Sequence, residues 1–130
     1  MAGTVFENIL RGLGWFLPAL LLTILIELPV IRLSGVCKKN AYIVLVNVLT
    51  NVMLNLVLLV IRAYAPNAEM PVVIASEAVL IPVAESLLYI QVSDRSKGKV
   101  FLFTYIANIA SYFLGSLILT LILKIFGGLF

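Results

Sequence analysis

Four long runs of apolar residues dominate the chain, at about residues 15–31, 41–61, 70–90 and 100–123, and short polar segments separate them. Crossing about 30 Å of hydrocarbon at about 1.5 Å per helical residue takes roughly 20 residues, so each run is predicted to be a transmembrane helix. Transmembrane β-strands are about ten residues long and alternate in polarity, whereas these runs are longer and continuously apolar. The expected fold is an all-α integral membrane protein forming one four-helix domain over residues 1–130. Ahead of the first run, Phe6, Ile9, Leu10 and Leu13 recur at helical spacing, with Glu7, Asn8 and Arg11 toward another side. That pattern predicts a short N-terminal helix lying in the membrane interface.

The polar positions inside the runs repeat. Glu27 lies a few residues before the end of the first run and the second carries Asn47, Thr50 and Asn51; Glu85 lies a few residues before the end of the third and the fourth carries Asn108 and Ser111. Twenty residues separate Glu27 from Asn47 and twenty-three separate Glu85 from Asn108, with a basic loop inside each interval. A two-helix unit returns the chain to its starting side. The halves are therefore expected to be parallel pseudo-repeats related by an axis along the membrane normal, with both Glu/Asn sets at comparable depth. Asn47, Thr50, Asn51 and Asn55 make one longitudinal stripe on their helix, and Thr104, Asn108, Ser111 and Gly115 make one on theirs.

Composition and charge agree with the bilayer. The chain is 63% hydrophobic and 12% charged, with a mean hydropathy of +1.19. Surface this apolar cannot be hidden within a 130-residue globule. Arg32, Lys38, Lys39, Arg95, Lys97 and Lys99 flank the first and third loops, against Arg11, Arg62 and Lys124 on the other side. The positive-inside rule then places loops 32–40 and 91–99 in the cytoplasm and both termini outside, as in a bacterial inner or cell membrane. The arm before the first run has Glu7 against Arg11 and the basic residues follow the run, the reverse of a signal peptide's order. The first helix is expected to remain as an anchor. The net charge of +3 is accounted for by topology and attraction to anionic lipid, with no nucleic-acid partner implied.

Candidate chemistry rests on the carboxylates. A carboxylate in hydrocarbon costs several kcal/mol or more, which makes an intramembrane Glu a functional-site hypothesis. None of the four runs contains Lys or Arg, leaving a protonated carboxyl, a bound cation or an opening to water as the available states. Asn47 and Asn108 can donate to such a carboxylate or lend a carbonyl oxygen to a cation beside it. Oxygen donors favour hard cations, so Glu27 and Glu85 are candidate metal ligands and a bound hard cation is the one cofactor considered. An organic cation could use the same charge with Tyr89, Tyr105 or Tyr112 as an aromatic wall. Glu77 has no counterpart in the first half. It lies about 12 Å from Glu85 along a helix and about 80° around it, near enough in azimuth to face the same passage at another depth. Pro82, between them, removes a backbone hydrogen bond.

With no histidine, a His-Glu-x-x-His zinc hydrolase and a histidine-based triad are excluded. The single cysteine, Cys37, cannot form an intrachain disulfide and is read as an unmodified loop thiol. In length, helix count and membrane Glu the chain resembles in general architecture the small multidrug resistance transporters, which exchange protons for cationic drugs as dimers. That family centres on one Glu in its first helix, whereas Glu27 lies near the cytoplasmic end and has Glu85 as a companion, so membership is not assigned. The expected function is a small transporter or channel for a cationic solute, with Glu27, Glu85, Asn47 and Asn108 at its centre, joined by Thr50, Asn51, Ser111 and Glu77. Four helices enclose little more than their own side chains, so a homodimer or a partner membrane protein is expected in the bilayer. The alternatives are an accessory subunit whose polar seam selects a partner helix, and a carboxylate-dependent intramembrane enzyme.

Overall fold

The computed structural model describes residues 2–127, with side chains for residue 14 and for 16–127. Helix α1 (Ala2–Ser34) and α2 (Asn40–Tyr64) form the first hairpin. The third span opens with a 3₁₀ turn (Pro66–Ala68) and continues through α3 (Glu69–Ala75), a π turn (Ser76–Leu80) and α4 (Ile81–Ile90). Helix α5 (Lys97–Phe126) completes the bundle. Four segments are long and apolar enough to cross a membrane: Phe16–Ser34, Asn40–Tyr64, Pro66–Ile90 and Lys97–Phe126. No break separates an interfacial helix from the first span, because α1 is continuous from Ala2 to Ser34. The apolar face expected of Phe6, Ile9, Leu10 and Leu13 lies outside the described side chains.

Local chemistry sets the ends of these helices. After α1, Gly35 adopts φ +79°, a left-handed conformation that favours glycine, and its N–H returns to Arg32 O at 3.1 Å. A Cβ there would also come within 2.6 Å of Arg95 Nη2. The guanidinium of one basic loop thus rests on the bare backbone of the other. Ser96 caps α5 by accepting from Lys99 N–H at 3.4 Å. At the opposite end, Arg62 Nε meets Glu69 Oε1 at 2.6 Å across the loop.

The spans pack as a ring: the first against the second and fourth, the third against the same two. At the basic-loop end the interior is apolar, built from Ile31, Val36, Cys37, Ile43, Val46, Tyr89, Val100 and Ala107. Cys37 lies in the loop as expected but is buried in this cluster. Tyr42 Oη reinforces it by donating to Leu88 O at 2.7 Å. A smaller cluster of Leu54, Leu58 and Ile81 lies toward the other end. Outward, Leu21, Leu25, Leu45, Met53, Leu87, Ile109 and Phe113 are exposed. A bundle apolar outside and polar at its centre reverses the usual soluble pattern and suits lipid.

The irregular third span has an identifiable cause. Proline at residue 82 has no N–H, and its ring would collide with the carbonyl four residues earlier. The chain widens just before it: Ile81 N–H donates to Ser76 O, five residues back. One π turn shifts helical phase by about one residue, roughly 100°, and thereby sets where Glu77 points relative to Glu85.

Candidate functional site

Glu27 and Glu85 come together at the centre of the bundle, 1% and 0% exposed. Both are bonded from the fourth span, Glu27 by Ser111 and Glu85 by Asn108. Glu85 is held on both oxygens: Thr50 Oγ1 donates to Oε1 at 2.8 Å and Asn108 Nδ2 donates to Oε2 at 2.8 Å. Glu27 receives one bond, from Ser111 Oγ to its Oε1 at 2.6 Å. Thr50 and Ser111 each also approach a backbone carbonyl of their own helix, Val46 O and Asn108 O, both at 3.0 Å. Each hydroxyl has one proton to give, and the shorter contact to a carboxyl oxygen is the stronger acceptor.

Helix register explains the convergence. Asn108 and Ser111 are three residues apart on α5 and share a face, so one helix bonds both carboxyls. Asn108 also donates to Thr104 O at 2.9 Å, which fixes its amide orientation. Asn47 is fully buried, yet its Nδ2 donates to Ile43 O at 3.0 Å and not to Glu27. Asn51 Nδ2 donates to Asn47 O at 2.8 Å. The first-span carboxyl is therefore bonded by the fourth span, while the third-span carboxyl is bonded by both the second and the fourth.

A cavity of about 230 Å³ reaches this centre from one side. Glu27, Asn108 and Ser111 form its inner end, Asn51, Asn55 and Glu77 its polar flanks, and Leu58, Val73 and Leu119 its walls toward the end remote from the basic loops. Glu85 lies behind Glu27 and Asn108, outside the lining. Tyr112 lines the cavity, while Tyr89 is fully buried in the basic-end cluster and Tyr105 stands off the lining. Toward the basic loops the apolar cluster closes the interior.

Comparison with protein-family models, curated proteins and solved structures finds no match to this chain. The functional reading therefore rests on the site itself. Among the described residues, no three His, Cys, Asp or Glu side chains gather as a metal-binding group. A cation at this centre would rest on two carboxyls and neutral oxygens.

Thr23 and Ser116 also line the cavity. Neither was singled out in sequence, since isolated hydroxyls in membrane helices are common at packing interfaces. Four buried polar atoms among the described residues have no hydrogen-bond partner: Glu27 Oε2, Asn47 Oδ1, Tyr89 Oη and Thr104 Oγ1. Thr104 was legible as part of a stripe, and Tyr89 only as an aromatic.

Proposed function

We propose that this protein is a small membrane transporter for a cationic solute, with the Glu27/Glu85 pair as its binding group. The observation carrying this reading is a carboxyl pair at the inner end of a polar cavity, Glu27 in its lining and Glu85 behind it, with no Lys or Arg in the apolar runs 15–31, 41–61, 70–90 and 100–123. Two buried carboxyls without a basic partner can share a proton or exchange it for a cation. Glu27 faces the cavity and has a free oxygen; Glu85 lies behind it with both oxygens held. Glu27 is then the exchanging group and Glu85 the fixed charge beside it.

A transporter suits this geometry better than an open channel, because the cavity is continuous toward one side and the basic end is packed with apolar side chains. Under the positive-inside rule the basic loops are cytoplasmic, so the cavity faces outward. Parallel pseudo-repeats remain part of the proposal. Thr50 of the first half bonds Glu85 of the second, and Ser111 of the second half bonds Glu27 of the first, the reciprocity that an axis along the membrane normal produces. A homodimer is proposed as the working unit.

The carboxyl partners are supplied within the chain, which favours a binding site over a seam that selects another protein's helix. Reconstitution into liposomes tests the proposal. Cation-driven or proton-driven flux is expected in the unaltered protein, with loss in Glu27→Gln and a strong reduction in Glu85→Gln. Equal flux in all three proteins would sink it.

A further inference from the structure

The cavity lining has a hydrogen-bond polarity as well as a charge. Thr23 Oγ1 gives its proton to Ala19 O at 2.9 Å, and Ser111 Oγ gives its own to Glu27 Oε1 at 2.6 Å. Asn108 spends both amide hydrogens, on Glu85 Oε2 at 2.8 Å and on Thr104 O at 2.9 Å. Asn51 and Asn55 each commit an amide hydrogen to a backbone carbonyl one turn earlier, Asn47 O and Asn51 O, both at 2.8 Å. What the lining keeps is mainly acceptors. Glu27 Oε2 has no partner although its residue is 1% exposed, and the three amides retain their oxygens. The hydroxyls of Tyr112 and Ser116 can accept as well as donate. Among the described lining residues there is no Lys or Arg.

Size and walls narrow the occupant further. A volume of about 230 Å³ exceeds the roughly 150 Å³ of an apolar cavity that admits benzene and falls short of the roughly 300–1,000 Å³ of pockets that hold drug-sized ligands. Leu22, Leu54, Leu58, Val73, Ile81 and Leu119 supply apolar wall. A metal ion would meet the inner end alone and make no use of that wall. A quaternary ammonium brings charge and hydrocarbon but no N–H, so its burial leaves the acceptors unpaired, with the penalty of any unsatisfied buried group. A protonated primary amine offers three N–H donors, as a lysine ammonium does, and can lay a short hydrocarbon body along the walls.

We propose that the cavity binds a protonated primary amine with a short hydrocarbon body of about four to eight carbons, the range those volumes bracket. Its ammonium sits at the inner end on Glu27, and its body lies between the apolar walls. Asn108 beside Glu27 and Asn51 on the flank are the neutral acceptors. The assignment names the solute of the transport reading and rests on it for movement across the bilayer, whereas binding does not.

Butylammonium, diethylammonium and tetramethylammonium are isomers, alike in charge and atoms, that carry three, two and no N–H groups. Titration calorimetry of the full-length protein in detergent compares them at pH 7, where an alkylamine is protonated as a lysine side chain is. Saturable butylammonium binding is expected, at least about tenfold tighter than tetramethylammonium, the scale of hydrogen bonds to a charged group, with diethylammonium between them. Methylammonium should bind more weakly by about fourfold for each methylene removed, and Glu27→Gln should lose butylammonium binding. Tetramethylammonium binding as tightly as butylammonium would overturn the proposal, as would no binding of any isomer, equal competition by Na⁺, or butylammonium affinity unchanged in Glu27→Gln. Should Glu27→Gln not fold, Asn51→Leu decides: a shrunken preference for butylammonium over tetramethylammonium supports the site, and an undiminished one refutes it, since a merely structural asparagine would weaken both alike. Liposome flux separates the two readings. Butylammonium binding in a protein that carries no cation flux rejects transport alone; cation flux lost in Glu27→Gln, with no butylammonium binding in the unaltered protein, rejects the amine alone.

Discussion

Ser111 on the fourth span donates its hydroxyl to Glu27 on the first across 2.6 Å, joining residues 84 apart in sequence. This is the one hydrogen bond that Glu27 receives among the described residues. Ser111→Ala leaves both carboxyl oxygens without a donor, and its expected cost is about 1–3 kcal/mol, the range for an unsatisfied buried group. Ser111→Thr keeps the hydroxyl and should retain most of that stability. Denaturant unfolding in detergent micelles measures both.

Thr50 and Asn108 hold opposite oxygens of Glu85 and should act as one unit. Thr50→Val and Asn108→Leu are each expected to destabilise the bundle, with a coupling of about 0.5–3 kcal/mol in a double-mutant cycle. Additivity within about 0.3 kcal/mol, the scatter typical of independent sites, would mean that the two bonds do not report on a common carboxyl.

Glu77 is half-buried on the cavity flank, farther from the centre than Glu27. In the proposed transporter, a charge there would raise the local cation concentration without holding the solute at its endpoint. Glu77→Gln should lower uptake mainly at low solute concentration and low salt, leaving the maximal rate largely intact. Initial-rate measurements over both variables distinguish this from the loss expected for Glu27→Gln.

Pro82 maintains the π turn that orients Glu77. Pro82→Ala restores an N–H and lets the span return to regular helix, turning the segment before it by about 100°. In a Cys37→Ser background, Glu77→Cys should react with a water-soluble maleimide. Adding Pro82→Ala should slow that reaction while leaving the protein folded.

Gly35→Ala places a Cβ on a left-handed residue, at a cost of about 1–2 kcal/mol, and pushes against the Arg95 guanidinium. A drop in Tm is expected, together with faster proteolysis of the two basic loops. Adding Arg95→Ala should recover only the steric part of the loss.

The four spans were legible because hydrocarbon thickness imposes a length and forbids charges, and both constraints are visible in a single chain. Their ends were less so: the second helix begins at Asn40 and runs to Tyr64, as helices continue into interfacial polar residues once water can satisfy their ends. Glu27, Glu85, Asn108, Thr50 and Ser111 could be chosen from the cost of burying them and from their repeated spacing. Their pairing could not. Spacing alone set Asn47 beside Glu27, whereas the ring order of the helices brings Ser111 there instead. Likewise, Pro82 announced a disturbed helix, but the phase of the π turn depends on tertiary packing around it.

The crossed hydrogen bonds also bear on how the protein is made. Ribosomal synthesis delivers the first span long before the fourth, so Glu27 enters the translocon with its donor still unsynthesised. The nascent first hairpin holds an acidic side chain that its own sequence does not satisfy, and Thr50 likewise waits for Glu85. Neither hairpin is a finished unit. A chain arrested before residue 111 lacks the hydroxyl that bonds Glu27, and only the finished chain supplies it.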